Sequence, residues 1–436
     1  MPEKLKTQQQ ILSKLNIKAL NPMQEEALEV ILNHDDTILL SPTGSGKTLA
    51  FLLPLIELID IDLKQVQALI LAPSRELAIQ IEQVLKNIGS GIKCNVFYGG
   101  RNFSKDKSEL NSPPQILIGT PGRIADHFRR ESFALNHIKY LILDEFDKSL
   151  EIGFEDDMEE ICEELDQLEK KILTSATHNV QIPSFVGIIR PKTMDYLDSQ
   201  KGELVIKRVL SPEKDKLQIL GKLLRHIGNR SGIVFCNFKD SIQRVSEHLR
   251  SEKIPHGTFY GGMEQKERER ALIKFRNGTH KILLATDLAA RGIDVEGLDF
   301  IIHYHLPLHE TEFTHRNGRT ARMNRGGTAY VIHWEQENLP EFIIEYEVEE
   351  LTNSNKVTGS AWTTLFVSGG RKDKISKGDI AGLCLKQGKI KHGELGIIEL
   401  KPDCAFVAVH ANKVFNLIKL IDNSRLKKKK IRVRII

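Results

Sequence analysis

The 436-residue chain carries 62 lysines and arginines against 58 aspartates and glutamates, and 40% of it is hydrophobic. That apolar share suffices for packed cores and excludes a largely disordered protein, while the length allows about two to four domains. Scattered Cys94, Cys162, Cys236, Cys384 and Cys404 form no C-x-x-C pair, the amino terminus lacks the apolar core of a signal peptide, and the apolar run 50–59 is short and broken by Pro54 and Glu57; a reducing, cytoplasmic setting without a membrane span is the expectation.

In chain order, short apolar runs fall at 37–40, 68–72, 94–98, 116–119, 140–143 and 171–174, with helix-compatible stretches between them. Continuous Ile, Leu and Val runs predict strands buried on both faces, and hence a parallel α/β sheet. The pattern weakens at 195–200 and resumes at 232–236, 256–260, 281–285, 300–303 and 327–333, predicting a second α/β domain. A glutamate-rich, helix-compatible stretch at 335–350 precedes the polar linker T-N-S-N at 352–355. The tail reads strand 364–368, helix 377–385, strand 393–400, strand 404–410, helix 413–421, strand 431–436. From residue 360 onward, 17 basic residues face 6 acidic ones, a net of +11, which leaves −7 for the rest of the chain. A basic module on a mildly acidic body predicts a polyanionic partner.

Three motifs carry chemistry. Behind the first apolar run stands S-P-T-G-S-G-K-T, residues Ser41, Pro42, Thr43, Gly44, Ser45, Gly46, Lys47 and Thr48. The glycines let backbone N–H groups curl toward an anion, Lys47 can reach the β- and γ-phosphates, and Thr48 can ligate Mg²⁺. This predicts a bound nucleoside triphosphate. The run 141–143 ends in Asp144 and Glu145, on the sheet edge where the phosphate loop also lies. There Asp144 suits holding Mg²⁺ and Glu145 suits orienting or deprotonating the attacking water. H-R-N-G-R-T-A-R at 315–322 places three arginines within eight residues, a source of positive charge for a transferring phosphoryl group.

Further segments appear in order: Asn21-Pro22-Met23-Gln24, P-S-R-E-L-A at 73–78, Gly99-Gly100, T-P-G-R at 120–123, D-E-F-D at 144–147 and S-A-T at 175–177. Then follow V-F-C-N at 234–237, Gln265-x-x-Arg268 and A-T-D-L-A-A-R-G-I-D at 285–294. The series resembles that of the DEAD-box ATP-dependent RNA helicases. The resemblance implies two tandem RecA-like P-loop NTPase domains, followed by a small α+β RNA-recognition-like (βαββαβ) domain, with boundaries at 1–198, 199–350 and 360–436. It implies that Gln24 reads adenine, and that Lys47, Thr48, Asp144 and Glu145 hold and hydrolyse Mg·ATP. Arg319 and Arg322 become arginine fingers, with Gly292 and Asp294 near the nucleotide, and Ser175, Thr177 and Asp147 couple hydrolysis to domain closure. Pro73, Arg75, Gly100, Thr120, Arg123, Arg268 and Thr286 become RNA backbone contacts, favouring RNA over DNA as cofactor.

The chain departs from the family at Phe146 (alanine is usual), Ile17 (an aromatic), His305 (an aspartate) and Phe238 (a threonine). These departures leave open an ATP-gated RNA clamp with little unwinding as the alternative to a helicase. The tail, with S-G-G-R-K-D-K-I-S-K-G-D-I and R-V-R-I-I, resembles the C-terminal domain of the bacterial DbpA-type subfamily. That implies binding to 23S ribosomal RNA in the assembling large subunit. Phe366 and Phe406 stand on the two strands that stack bases in RNA-recognition folds, with Phe406 equally placed to be a core residue, while Cys404 and Val409 replace the other aromatics. Charge therefore carries most of the expected RNA binding, through Arg371, Lys372, Lys374 and Lys377, then Lys386, Lys389 and Lys391, and finally the run 427–430 with Arg432 and Arg434.

Overall fold

The computed structural model describes residues 7–42, 44–151, 153–178, 181–197, 203–287, 298–320, 326–351, 357 and 359–436. They divide into a first compact unit up to Glu203 and a second from Leu204 onward.

The first unit holds strands β1 (Asp36–Leu40), β2 (Ala68–Leu71), β3 (Cys94–Phe97), β4 (Ile116–Gly119), β5 (Tyr140–Leu143), β6 (Lys170–Ser175) and β7 (Lys192–Asp195). They form one parallel sheet in the order β3-β4-β2-β5-β6-β1-β7. The apolar runs read from the sequence are strands β1 to β6, with ends that differ by at most one residue. Their alternation explains why the runs are continuous. Ala68, Ile70, Ile118 and Ile142 feed the core on one face, while Leu69, Leu71, Leu117, Leu141 and Leu143 feed the core on the other. Helices α1 (Gln8–Leu15) and α2 (Pro22–Asn33) precede β1. Then come α3 (Lys47–Leu58), α4 (Arg75–Ile88), α5 (Phe103–Leu110), α6 (Pro121–Arg129), α7 (Phe146–Glu151) and α8 (Glu155–Glu163). Strand β7 escapes the sequence reading because, at the sheet edge, only Met194 of K-T-M-D is buried.

The second unit repeats the plan with β8 (Leu204–Ser211), β9 (Gly232–Phe235), β10 (Gly257–Phe259), β11 (Ile282–Ala285), β12 (Phe300–His303), β13 (Gly327–Trp334) and β14 (Glu347–Val348). Its parallel sheet runs β10-β11-β9-β12-β13-β8-β14. Helices α9 (Leu217–Ile227), α10 (Lys239–Ser251) and α11 (Gln265–Arg276) lie among these strands. The predicted helix at 335–350 is absent. Turns and β14 occupy it, because Glu349 is drawn onto Lys207 (2.6 Å) and His226 (2.8 Å), which lays the segment beside β8.

The tail folds within the second unit as strand β15 (Trp362–Val367), helix Lys377–Gly382 with a wider turn to Gln387, then β16 (Leu395–Leu400) and β17 (Ala405–His410). Helix Val414–Ile421, a two-residue hairpin of β18 (Arg425–Leu426) and β19 (Lys429–Lys430), and β20 (Val433–Ile435) complete it. The antiparallel sheet runs β16-β17-β15-β20, the βαββαβ layout expected from the sequence. No helix among the described residues is long and apolar enough to cross a membrane.

Candidate functional site: a nucleotide edge and an RNA edge

In a parallel sheet all strand C-termini share one edge, and strand order decides which loops become neighbours. In the first unit the adjacent β5, β6 and β1 end in Asp144-Glu145, Ser175-Ala176-Thr177 and the phosphate loop. The adjacent β3, β4 and β2 end in Gly99-Gly100, Thr120 and Pro73. One sheet edge thus separates the expected nucleotide residues from the expected RNA residues.

The phosphate loop curls at Gly44 (φ 83°) and Gly46 (φ 94°), a conformation that a Cβ disfavours. Ser41, standing where the strict phosphate-loop pattern has glycine, is buried and donates its hydroxyl to Ser45 Oγ at 2.7 Å, bracing the loop. Lys47 is buried at the first turn of α3, with its ammonium on the carbonyls of Ser41 and Pro42. Thr48 follows on α3. Gln24 and Asn21 cap α2 reciprocally, at 2.9 and 3.1 Å. Their amides also donate to the loop carbonyls, Asn21 Nδ2 to Ser45 at 3.0 Å and Gln24 Nε2 to Gly46 at 3.3 Å. A Cβ on Gly46 would stand 2.4 Å from Gln24 Nε2, so the glycine is also needed for this close approach. Asn21 is a brace that the sequence reading missed, although its position as N-cap was visible. Ile17 packs against the core cluster beneath α2.

At the end of β5, Thr174 on neighbouring β6 organises the acids. Its hydroxyl donates to Asp144 Oδ1 at 2.5 Å and accepts the Glu145 N–H at 3.1 Å. Glu145 adopts φ 47°, a left-handed conformation that costs a non-glycine residue ~1 kcal/mol or more and points to an imposed geometry. Burial, with the Glu145 charge beside it, pushes the Asp144 carboxyl up to about 6. A buried carboxylate in that state is a donor in want of a cation, and with the Thr48 hydroxyl it suits Mg²⁺. Ser175 Oγ accepts the Thr177 N–H at 3.0 Å, and Thr177 Oγ1 lies 3.4 Å from Asp147 Oδ2, which joins the three expected coupling residues. Phe146 turns away from this cluster into the opposite core, 1% exposed.

On the RNA edge, α4 and α6 both begin at strand ends, directing their partial positive charge to the same side. Gly100 takes φ 84°, and a Cβ there would stand 3.2 Å from Arg75 Nη1, so Arg75 rests on the glycine turn. Thr120 is the N-cap residue of α6, and Arg123 lies in its first turn. Buried Asp106, from α5, accepts from Arg123 Nε (3.0 Å) and Nη2 (2.8 Å) and pairs with Arg101 Nε at 2.5 Å. Burial pushes its carboxyl up, but hydrogen bonds from His127 and Arg123 and the charge of Arg101 outweigh that and hold it below the usual range. His127 is clamped between the rings of Phe97 and Phe103 at 4.8 and 4.5 Å. Asp106 carries no motif signal, which is why the sequence reading passed over it.

In the second unit the arginine cluster divides. Arg316 is 1% exposed and sits at the centre of a network. It grips Asp287 with Nε (2.7 Å) and Nη2 (2.5 Å), donates to His305 O (2.8 Å) and Asn237 Oδ1 (2.9 Å), and covers the Phe235 ring at 5.2 Å. One side chain thus ties together the ends of β9, β11 and β12. Burial and the neighbouring Arg316 hold His303 down to about 3, and burial with nearby Lys216 holds His305 down to about 4. His305 Nδ1 accepts the Asn237 N–H at 3.1 Å, a role open to the aspartate usual there. Arg319 is buried just beyond helix Glu310–Asn317. Arg268, on α11, lies over the Phe259 ring at 4.9 Å, and the Thr286 N–H bonds to Phe259 O at 3.3 Å. Thr43, Gly292, Asp294 and Arg322 lie outside the described residues.

In the tail, Arg371, Lys372, Lys374 and Lys377 are all exposed on the loop after β15 and the helix start beyond it. The terminal basic run is partly committed to the tail's own fold, since Lys429 pairs with Asp373 (2.7 Å), Lys427 with Asp379 (3.1 Å) and Arg432 with Asp422 (3.2 Å).

Comparison with known families matches residues 21–184 to the DEAD/DEAH box helicase model, 215–324 to the helicase conserved C-terminal domain and 364–435 to the DbpA RNA binding domain. The chain is 30% identical to the ATP-dependent RNA helicase DbpA of Bacillus subtilis, covering 94% of this chain and 93% of that one. It is also 30% identical to DbpA of Escherichia coli, covering 98% and 96%. Among solved structures, S. cerevisiae Dbp5 bound to RNA and ADP BeF3 superposes with a TM-score of 0.67 at 27% identity, over 75% of this chain and 88% of that one. Mss116p bound to single-stranded RNA and AMP-PNP gives 0.66 at 28%, over 75% and 72%. The chain belongs to the DEAD-box ATP-dependent RNA helicases, and within them to the DbpA type. It is an RNA-dependent ATPase with an RNA-binding tail.

Proposed function

We propose that this helicase uses its tail to engage 23S ribosomal RNA and remodels short duplexes during assembly of the large ribosomal subunit, in the cytoplasm. The observation that carries this reading is the match of residues 364–435 to the DbpA RNA binding domain, on a module whose loop after β15 presents exposed basic residues. Deleting residues 360–436 should abolish preferential ATPase activation by 23S fragments and leave weak activation by generic RNA. Equal activation of full-length and truncated protein overturns the ribosomal assignment.

In this reading the phosphate-loop N–H groups and Lys47 hold the triphosphate, while Gln24, already fixed to the loop carbonyl, has its amide beside the nucleotide. Thr48 and Asp144 would hold Mg²⁺, which when bound screens the phosphates during transfer. Glu145, fixed by its backbone bond to Thr174, orients the attacking water and accepts its proton. Arg319 and Arg322 supply positive charge to the transferring phosphoryl group. Ser175, Thr177 and Asp147 pass the state of the nucleotide on to the RNA edge, which grips backbone rather than bases. Glu145→Gln should nearly abolish turnover and preserve ATP binding; retained turnover refutes the role of Glu145. The reading as a clamp with little unwinding rests on Phe146, whose ring is buried in the core, and on Ile17, which leaves adenine without a stacking ring. Displacement of a short tailed RNA duplex by ATP decides between the two.

A further inference from the structure

The C-terminal edge of the second sheet carries three phenylalanines, and two of them are buried supports. Phe259 lies under Arg268 at 4.9 Å and Phe235 under Arg316 at 5.2 Å, and both are at most 1% exposed. Phe238 differs. It follows β9, which lies between β11, leading into Thr286, and β12, leading into His305, and it is 66% exposed. A lone apolar residue on a surface needs no explanation, but this one also breaks a local rule.

Phe238 occupies the N-cap position of α10, with φ −128° and ψ 149°, and no side chain caps that helix. The threonine usual here in the family could do so, since its hydroxyl can accept from the helix's first turn. The chain thus gives up a cap and leaves a ring in water at one position. Positions that break local rules without local compensation mark functional places. The ring is also held by its surroundings. Asn237 beside it is bonded three ways: its N–H donates to His305 Nδ1 at 3.1 Å, its Nδ2 to Leu306 O at 3.2 Å, and its Oδ1 accepts from Arg316 Nη2 at 2.9 Å. The Phe238 carbonyl accepts the Ile242 N–H at 3.2 Å, and the His305 ring stands beside Phe238 with centroids 6.4 Å apart and planes at 59°. A flat apolar surface is therefore presented from a fixed backbone, which lowers the ordering cost for whatever stacks on it.

We infer that Phe238 stacks on one unpaired base of the bound RNA, so that the second α/β domain holds a base where its neighbouring residues hold backbone. This rests on the reading of Arg268 and Thr286 as RNA contacts, Thr286 following the strand next to β9. Lys239, the next residue, is exposed and can meet a phosphate of the same strand. A threonine hydroxyl bonds a phosphate or a ribose, whereas a phenyl ring needs a flat partner, and in RNA that partner is a base. In a duplex the faces of the bases are already covered by their neighbours, so the contact selects unpaired RNA. It does not select sequence, because every base has a π face. One such stack strengthens binding by a factor between about five and a hundred. A base held on Phe238 is withheld from its complement, and the contact therefore favours the separated strand.

The test uses the full-length protein and a single-stranded U RNA of about ten nucleotides. It reads ATP hydrolysis, because turnover reports RNA on the helicase domains and not RNA on the tail. Phe238→Thr should raise the RNA concentration for half-maximal activation about tenfold, with the maximal rate and the KM for ATP within about twofold. Phe238→Trp should match the unsubstituted protein, and Phe238→Leu, which keeps apolar bulk without a ring, should match Phe238→Thr. A ribose-phosphate chain of the same length without bases should activate the unsubstituted and Phe238→Thr proteins at concentrations within about twofold of each other. The thermal midpoint of Phe238→Thr, which restores a cap, should not fall. Equal activation of the unsubstituted and Phe238→Thr proteins by U RNA overturns the stack, as does a Phe238→Leu protein that matches the unsubstituted one. A rise confined to the KM for ATP puts the ring against nucleotide and overturns it too. Arg268→Ala should weaken activation in the same assay; no effect there refutes the RNA reading of this edge, while loss with Arg268→Ala and none with Phe238→Thr refutes the stack alone. The U RNA keeps these outcomes separate from the question of whether the natural target is ribosomal.

Discussion

Arg316 and Arg319 look alike in the sequence, and the structure predicts that they fail differently. Replacing Arg316 with lysine keeps the charge but removes the planar fork. Lysine cannot hold Asp287 with two bonds and still reach both His305 O and Asn237 Oδ1, which the guanidinium bonds at 2.8 and 2.9 Å. Two charge-assisted bonds are lost, each worth ~1.5–3 kcal/mol when intact, and solvent reaches Asp287 enough to offset part of that. The expected cost is ~2 kcal/mol, a fall of ~4–8 °C in the unfolding midpoint of a unit this size. Alanine strands the Asp287 carboxylate and should cost ~3–5 kcal/mol. Thermal denaturation by circular dichroism, run beside RNA-stimulated ATPase assays, reads both effects. Arg319→Lys, at a proposed finger, should reduce turnover by a larger factor than Arg316→Lys does relative to its effect on the midpoint. If Arg316→Lys leaves the midpoint unchanged while turnover collapses, Arg316 contacts nucleotide and the view of it as a structural pin is wrong.

Other outcomes follow from the same geometry. The Asp144 carboxyl lies at about 6 against an ordinary 3.8. Its ionised form therefore costs stability as pH rises through about 6, and cation binding recovers that cost. Mg·ATP affinity should fall by up to tenfold per pH unit below about 6, and a flat titration from pH 7.5 to 5 refutes it. Thr174→Val removes the hydroxyl that bridges Asp144 and Glu145, which should cost ~1–3 kcal/mol and lower the maximal ATPase rate more than ATP affinity; an unchanged rate refutes the bridge. Asp106→Asn releases Arg101 and Arg123, and should raise the RNA concentration needed for half-maximal ATPase more than it lowers the maximal rate. Phe146→Ala, which restores the residue usual in the family, should cost ~3–5 kcal/mol in chemical denaturation because the ring is fully buried.

The parts legible in the sequence share one property, that they answer to short-range rules. Continuous apolar runs marked most strands, the edge strands β3 and β10 included, and glycine spacing marked the phosphate loop; the inner strand β8 was missed because Lys207 and Arg208 interrupt L-V-I-K-R-V-L-S. Strand β7 was missed because only one of its residues, Met194, is buried. The stretch 335–350 has helical composition, and Glu349's ion pair with Lys207 and hydrogen bond with His226 override it. Thr174, Asp106 and Arg316 matter through partners 17 to 79 residues away in the chain, a distance over which no local pattern extends. Phe406 was ambiguous for a different reason. Alternation along β17 assigns it a face, but only tertiary structure shows what lies against that face.

Three unusual residues are accommodated locally, Phe146 by packing and Ser41 and His305 by hydrogen bonds. Phe146 follows the two acids in the sequence, yet its ring enters the core while Glu145 is fixed by a backbone bond to Thr174 on the neighbouring strand. The direction of each side chain is set separately, so a large residue can replace a small one without moving the hydrolytic pair. Ser41 likewise replaces a glycine and gains a bond to Ser45, and His305 supplies the acceptor for Asn237 that an aspartate would supply. At Ser41 and His305 the unusual side chain itself makes the local hydrogen bond, and at Phe146 the bond of the neighbouring Glu145 N–H to Thr174 is kept. Hydrolysis by this chain should therefore tolerate its unusual residues, and the substitutions that damage it should be those that remove a hydrogen bond between strand ends: Thr174 in the first unit and Arg316 in the second.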